Sequence, residues 1–97
     1  MIEKYADIFK VLSDPIRLKI FEMLKSGKLC ACKILEKFEV TQPTLSYHMK
    51  LLTKCGLIDA EKHGKWNYYS VNREKAKEVS KMLMINLREI NNADRKN

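Results

Sequence analysis

Apolar residues recur at helical spacing through most of the chain. Ile2, Tyr5, Ala6, Phe9 and Leu12 fall on one face of a helix over 2–12. Ser13-Asp14-Pro15 follows, a capping residue ahead of a proline suited to a first helical turn. A second helix opens there, with Ile16, Ile20, Phe21 and Leu24 inward, and closes at Ser26-Gly27. A short third helix is expected over about 31–38, where Ile34, Leu35 and Phe38 are apolar. Glu39-Val40 makes a tight link. Thr41 then caps a fourth helix that carries Pro43 in its first turn, reaches about Lys54 and closes at Gly56.

The period changes after Gly56. Residues 57–62 and 66–71 are β-prone runs around His63-Gly64-Lys65, the pattern of a hairpin. Helical spacing returns from about Arg73 through Ala76, Val79, Met82, Leu83, Leu87 and Ile90. The predicted order is ααααββα, mainly α with a β-hairpin wing. Two short helices joined by a tight turn ahead of a hairpin describe a winged helix-turn-helix. Without repeats or low-complexity tracts, the chain divides into one domain over 1–91 and a polar tail over 92–97.

The fourth helix changes the picture from fold to chemistry. Leu45, His48, Met49 and Leu52 share its inward side, which makes His48 a packed residue. Pro43, Tyr47, Lys50 and Lys54 point away, flanked by Gln42, Thr44 and Ser46. An ordinary solvated face mixes Glu with Lys, whereas 41–54 contains no acid. Gln bonds an adenine edge in two places, Thr and Ser bond base edges or phosphates, and Lys neutralises phosphate. The hairpin tip adds Lys62, His63 and Lys65 around Gly64, a basic turn suited to a minor groove or to phosphates. Trp66 and Tyr68 alternate onto one strand face and are expected to cover the helices, with Tyr69 facing the other way. The whole-chain balance agrees: 19 Lys plus Arg against 12 Asp plus Glu gives a net charge of +7, which favours a polyanionic partner.

Other features narrow the class. No apolar run approaches the ~20 residues that span a bilayer, so no membrane partner is expected. The first residues lack a signal-peptide pattern, and three cysteines are an odd, low count for a disulfide scaffold. The expected location is a reducing cytoplasm. No Ser/His/Asp set, paired carboxylates or phosphate-binding Gly loop points to an enzyme.

Several segments together resemble one family. Ser13-Asp14-Pro15-Ile16-Arg17, Leu29-Cys30-Ala31-Cys32 and Thr41-Gln42-Pro43-Thr44-Leu45-Ser46-Tyr47-His48-Met49-Lys50-Leu51-Leu52 come in order. Cys55-Gly56-Leu57-Ile58 and Gly64-Lys65-Trp66-Asn67-Tyr68-Tyr69-Ser70-Val71 follow. In order and spacing this resembles the ArsR/SmtB family of bacterial repressors, over about residues 2–90. The resemblance implies a winged-helix homodimer formed through the first and last helices. It also implies repression of an operon and release of DNA when a metal or metalloid binds. Apolar stripes on the terminal helices, which a 97-residue monomer covers poorly, agree with a dimer. Two reading helices one DNA turn apart, ~34 Å, require an inverted-repeat operator in double-stranded DNA. The DNA-binding set implied is Thr41, Gln42, Thr44, Ser46, Tyr47, Lys50, Lys62 and Lys65. Within it Gln42, Thr44, Ser46 and Tyr47 read bases, and the three lysines contact phosphate.

Cys30 and Cys32 stand where relatives carry an arsenite or antimonite site, and thiolates suit thiophilic ions. No obligatory cofactor is expected, only arsenite, antimonite or another thiophilic metal as inducer. A helix start with Lys28 and Lys33 nearby should lower both thiol pKa values. On a regular helix, residues two apart point ~200° from each other, so chelation should require a first turn that unwinds or never forms. An ion would then distort the third helix and move the reading head. The third cysteine of the family pattern would fall at Leu35, and an acid expected at 33 is lysine. Cys55 reads as a small buried residue. The last helix lacks His, and no cysteine lies on the second or last helix, which disfavours the interfacial zinc site and the paired-thiol redox sensor. Two alternatives stay open. One is an inducer-independent repressor, which metalloid titration of the DNA complex would expose. The other is a metal-carrying protein that does not bind duplex DNA.

Overall fold

Eight elements occur in the computed structural model, which describes residues 2–96, with side-chain surroundings as far as residue 84 and at Ile90. They are α1 (Ile2–Leu12), α2 (Pro15–Leu24), β1 (Leu29–Cys30), α3 (Ala31–Leu35), α4 (Gln42–Lys54), β2 (Ile58–His63), β3 (Trp66–Val71) and α5 (Arg73–Lys96). The helices and hairpin come in the predicted order. One strand, β1, was not foreseen, because two residues carry no period. α3 is also shorter than expected. Past Leu35 the chain tightens into i→i−3 bonds, from Lys37 N–H to Ile34 O at 3.0 Å and from Phe38 N–H to Leu35 O at 3.2 Å. α5 continues through the segment read as a tail as far as Lys96. The expected inward placement of Leu87 lies outside the described residues.

Capping starts the helices where the sequence placed them. Asp14 Oδ1 accepts from the backbone N–H of Ile16 at 2.8 Å and of Arg17 at 3.2 Å, with Pro15 in the first turn. Partial burial pushes the Asp14 carboxyl up, but these N–H donors and the Arg17 charge outweigh it and hold the group below the usual range. The folded state therefore binds fewer protons here than the unfolded chain does. The resulting stability is present above the unfolded pKa and is lost as pH falls through the folded one. Asp14→Ala is expected to cost about 1 kcal/mol near neutral pH. In urea titrations that difference should vanish at acid pH; a pH-independent difference would contradict a charged cap.

The sheet runs β1-β3-β2, antiparallel throughout. Leu29 pairs with Tyr69 and Cys30 with Tyr68, while the wing pairs Ile58 with Val71 through His63 with Trp66. The wing loop is Gly64-Lys65, and Gly64 has φ +64°, the positive value that a glycine-first two-residue hairpin turn needs. The expected facing of the aromatics is reversed. Trp66 is 50% exposed, and it is Tyr69 that packs on the core, where burial pushes its phenol pKa up. The residues flanking the wing loop are exposed, and burial increases along both strands towards the base of the wing.

One core cluster joins every layer: Ile8 of α1, Ile20 and Leu24 of α2, Ile34 of α3, Leu45, Met49 and Leu52 of α4, Leu57 and Ile58 at the wing base, and Val79 of α5. On α1 the predicted face is only partly right. Ile8 is the buried residue, whereas Ile2 and Phe9 stay exposed, as do Leu83, Met84 and Ile90 on α5. Lys4 Nζ ties α1 to α5 through Glu78 Oε2 at 3.3 Å. No helix among the described residues is long and apolar enough to cross a membrane.

Candidate nucleic-acid interface and thiol pair

α4 begins at Thr41, whose φ −75° and ψ 161° are extended and whose Oγ1 accepts from Thr44 N–H at 3.3 Å. The same hydroxyl donates to Thr44 Oγ1 at 3.0 Å. From this start the helix sorts as the sequence predicted. Leu45, His48, Met49 and Leu52 are buried, and Gln42, Thr44, Ser46, Tyr47 and Lys50 are exposed. A row of amide, hydroxyl, phenol and ammonium groups therefore faces outward with no carboxylate among them.

The wing stands beside this row. Gln42 and Ser46 of α4 share the wall of one cavity with Lys65, Trp66 and Asn67 of the wing, so both elements present polar groups to one side. Lys62 and Lys65 are exposed, and Lys65 Nζ lies 5.6 Å from the centre of the Trp66 ring. The wing's Glu61 is engaged, by His63 Nε2 at 2.5 Å and Lys28 Nζ at 3.8 Å. Trp66 and Asn67 belong to this surface and were missed in the sequence. The signal was there, since a basic tip implies an unsupported strand start, but strand alternation argued for the opposite facing.

His48 shows how α4 is seated. It is the buried polar residue of the core, 7% exposed. Its Nδ1 lies 3.0 Å from Arg17 Nη1, and Arg17 Nε donates to Val11 O at 2.6 Å. A guanidinium has only donors, so in this contact Arg17 donates and His48 Nδ1 accepts. One α2 side chain thus links the last turn of α1 to the inner face of α4. Arg17 stood in the sequence only as part of a motif, with nothing to say what it bonded.

Cys30 and Cys32 sit at the junction of β1 and α3. Cys30 is the N-cap, with φ −70° and ψ 146°, and its Sγ accepts from Cys32 N–H at 3.4 Å. The two sulfurs lie 2.7 Å apart. Of the two expected routes, unwinding is not the one seen: α3 does not include Cys30. Cys30 lies outside α3, so the ~200° separation of helical neighbours does not apply. The expected joint lowering of the thiol pKa values is corrected too. The Cys32 thiol and backbone N–H donate to Cys30 and hold it below the usual thiol value, while the same thiol contact pushes Cys32 up. Cys55 is the C-cap of α4 and lines a different cavity from Cys32. It is half-buried against the core, where the sequence suggested a buried residue, and donates to Leu52 O at 3.3 Å. Among the described residues no group of three or more His, Cys, Asp or Glu side chains is placed to hold a metal ion.

A capped helix with an acid-free polar face, seated on a three-helix core beside a basic wing, defines a winged helix-turn-helix DNA-binding protein. The model of the family described as bacterial regulatory protein, arsR family, matches residues 14–60. An uncharacterized HTH-type transcriptional regulator of Methanocaldococcus jannaschii is 42% identical over 82 residues, covering 84% of this chain and 92% of that protein. An arsenical resistance operon repressor of Bacillus subtilis is 47% identical over 75 residues, covering 76% and 71%. The chain belongs to the ArsR family of DNA-binding transcriptional repressors. Solved structures share the fold. An ArsR family regulator, RHA00566, has a TM-score of 0.82 at 21% identity, covering 93% of this chain and 92% of that one. A homodimeric winged helix-turn-helix domain from Mycobacterium bovis has a TM-score of 0.72 at 21% identity, covering 92% and 83%.

Proposed function

We propose that this protein is a cytoplasmic homodimeric repressor that arsenite, antimonite or another thiophilic ion, bound by Cys30 and Cys32, releases from an inverted-repeat operator. The observation that carries the reading is the 2.7 Å approach of the two sulfurs at the start of α3. Soft thiolates held together are a ready chelate. Cys32 also lines the cavity that joins α4 to the wing, so an ion there acts where the two DNA-contacting parts meet. If the ion weakens DNA binding by some factor, DNA weakens ion binding by the same factor. The relation to the B. subtilis arsenical resistance repressor supports the same effector class.

Dimerisation is assigned to α1 and α5. Ile2, Phe9, Leu83, Met84 and Ile90 leave exposed apolar surface there that a second copy would cover. The two α4 helices would then enter successive major grooves, ~34 Å apart.

On DNA, Gln42, Thr44, Ser46 and Tyr47 read base edges, with Thr41 at the helix start. Lys50, Lys62 and Lys65 contact phosphate. Single substitutions separate the roles. Lys65→Ala should weaken every duplex alike and reduce the log–log salt slope by about 0.9 for each lost phosphate contact. Gln42→Ala should relax preference at particular base pairs by ~1–3 kcal/mol. Binding assays across a set of single-base operator variants check both. If Gln42→Ala leaves every base preference intact, the assigned reading face is wrong.

A further inference from the structure

Two features of the thiol pair have no role in the account above. One is valence. A trivalent arsenic centre makes three bonds, and Cys30 and Cys32 supply two of them. No third cysteine, histidine or carboxylate among the described residues joins the pair. The other is space. Cys32 forms part of the wall of a cavity of about 250 Å³ between α3, α4 and the wing. Leu35, one helical turn on from Cys32, is in that wall with Met49, Trp66 and Tyr69. Where a third thiol would have stood, this chain offers an apolar surface. The cavity is below the ~300–1,000 Å³ of pockets that enclose drug-sized ligands, and it suits a small group such as methyl or phenyl.

We propose that the effector class fitted by this site is a monosubstituted trivalent arsenical, R–As(OH)₂, with arsenic on Cys30 and Cys32 and R seated in the cavity. This rests on the reading that the pair binds trivalent arsenic, and it names which arsenical. Two As–S bonds form and two As–O bonds break. Each thiol proton leaves with a hydroxyl group as water, and arsenic stays trivalent throughout. The substituent then lies between α4 and the wing, against a wall that also includes Gln42 and Lys65. It acts as a wedge between two parts that must hold a fixed spacing to grip DNA. No unwinding of α3 is needed.

The chain's one tryptophan, Trp66, lines the cavity and reports on it. The experiment titrates the reduced full-length protein with arsenite, methylarsonous acid and phenylarsonous acid, following Trp66 fluorescence. Methyl and phenyl compounds make the same two As–S bonds, so their difference reads the cavity. Phenyl is expected to half-saturate at a ~30-fold lower concentration than methyl, from the apolar surface it buries. Ala31 also lines the cavity. Ala31→Leu should fill it and shrink the preference to about threefold or less, because phenyl loses more buried surface than methyl does. Leu35→Cys offers a second route that leaves Ala31 intact, and it should turn the preference towards arsenite by supplying the third thiolate. Equal affinity for methyl and phenyl, or a preference that both variants leave unchanged, overturns the cavity assignment while arsenic sensing stands. If none of the three compounds binds, the sensor reading falls and this one with it.

Discussion

Replacing Cys32 with serine should leave operator affinity within about twofold of the native protein and raise the arsenite needed for half-release by ~100-fold or more. The two expectations have separate causes. Cys32 is exposed, so serine disturbs little of the fold. The hydroxyl is a hard, protonated group, and one remaining thiolate no longer chelates a soft ion. Cys30→Ser should behave alike, because serine is itself a good N-cap and preserves the start of α3. Fluorescence anisotropy of labelled operator, titrated with arsenite, reads both quantities at once. Release at the native arsenite concentration by either variant would remove the thiol pair from the mechanism.

Arg17→Met should lower stability by about 2–4 kcal/mol, the sum of two polar groups left short of a partner. The groups are Val11 O at the end of α1 and His48 Nδ1 inside α4. For a chain of this size that is a fall in Tm of roughly 10–25 °C. Thermal unfolding followed by circular dichroism measures it. Adding His48→Leu should recover part of the loss, because removing both partners costs less than stranding one. Additive destabilisation in the double variant would mean that Arg17 and His48 do not act as a pair. Operator affinity should fall with Arg17→Met as well, since the contact fixes the inner face of the reading helix against α2.

What the sequence made legible was what is local. Asp14 sits one residue before Pro15 and Thr41 two before Pro43, and they start α2 and α4 where expected. The inward set of α4 follows from a 3.6-residue period and holds at all four positions, His48 included. The outward polar row follows from the same period. The fold lost to sequence reading was non-local. β1 exists only because Leu29 and Cys30 meet Tyr69 and Tyr68 on a distant strand. That pairing fixes Cys30 in an extended conformation ahead of α3, and the approach of the two sulfurs depends on it. Reading both cysteines as helical placed them on opposite sides. The wing aromatics failed for a related reason. Alternation gives two faces but not which of them the helices cover, and near the tip Trp66 stays half exposed beside the cavity rather than packing on the core. On α1, Ile2 and Phe9 share a stripe, yet only Ile8 beside it is fully inside. A second copy is the natural cover for such a stripe, and a single chain's period cannot distinguish that surface from the core.

One titration addresses DNA binding and the thiol pair together. The reduced protein is bound to labelled DNA from upstream of its own gene, and anisotropy is followed with and without one equivalent of arsenite per protomer. Binding should be tight and salt-sensitive, abolished by arsenite and restored by excess dithiol. Tight binding that arsenite, antimonite and other thiophilic ions all leave unchanged would contradict this, leaving a repressor whose paired cysteines do not sense an ion.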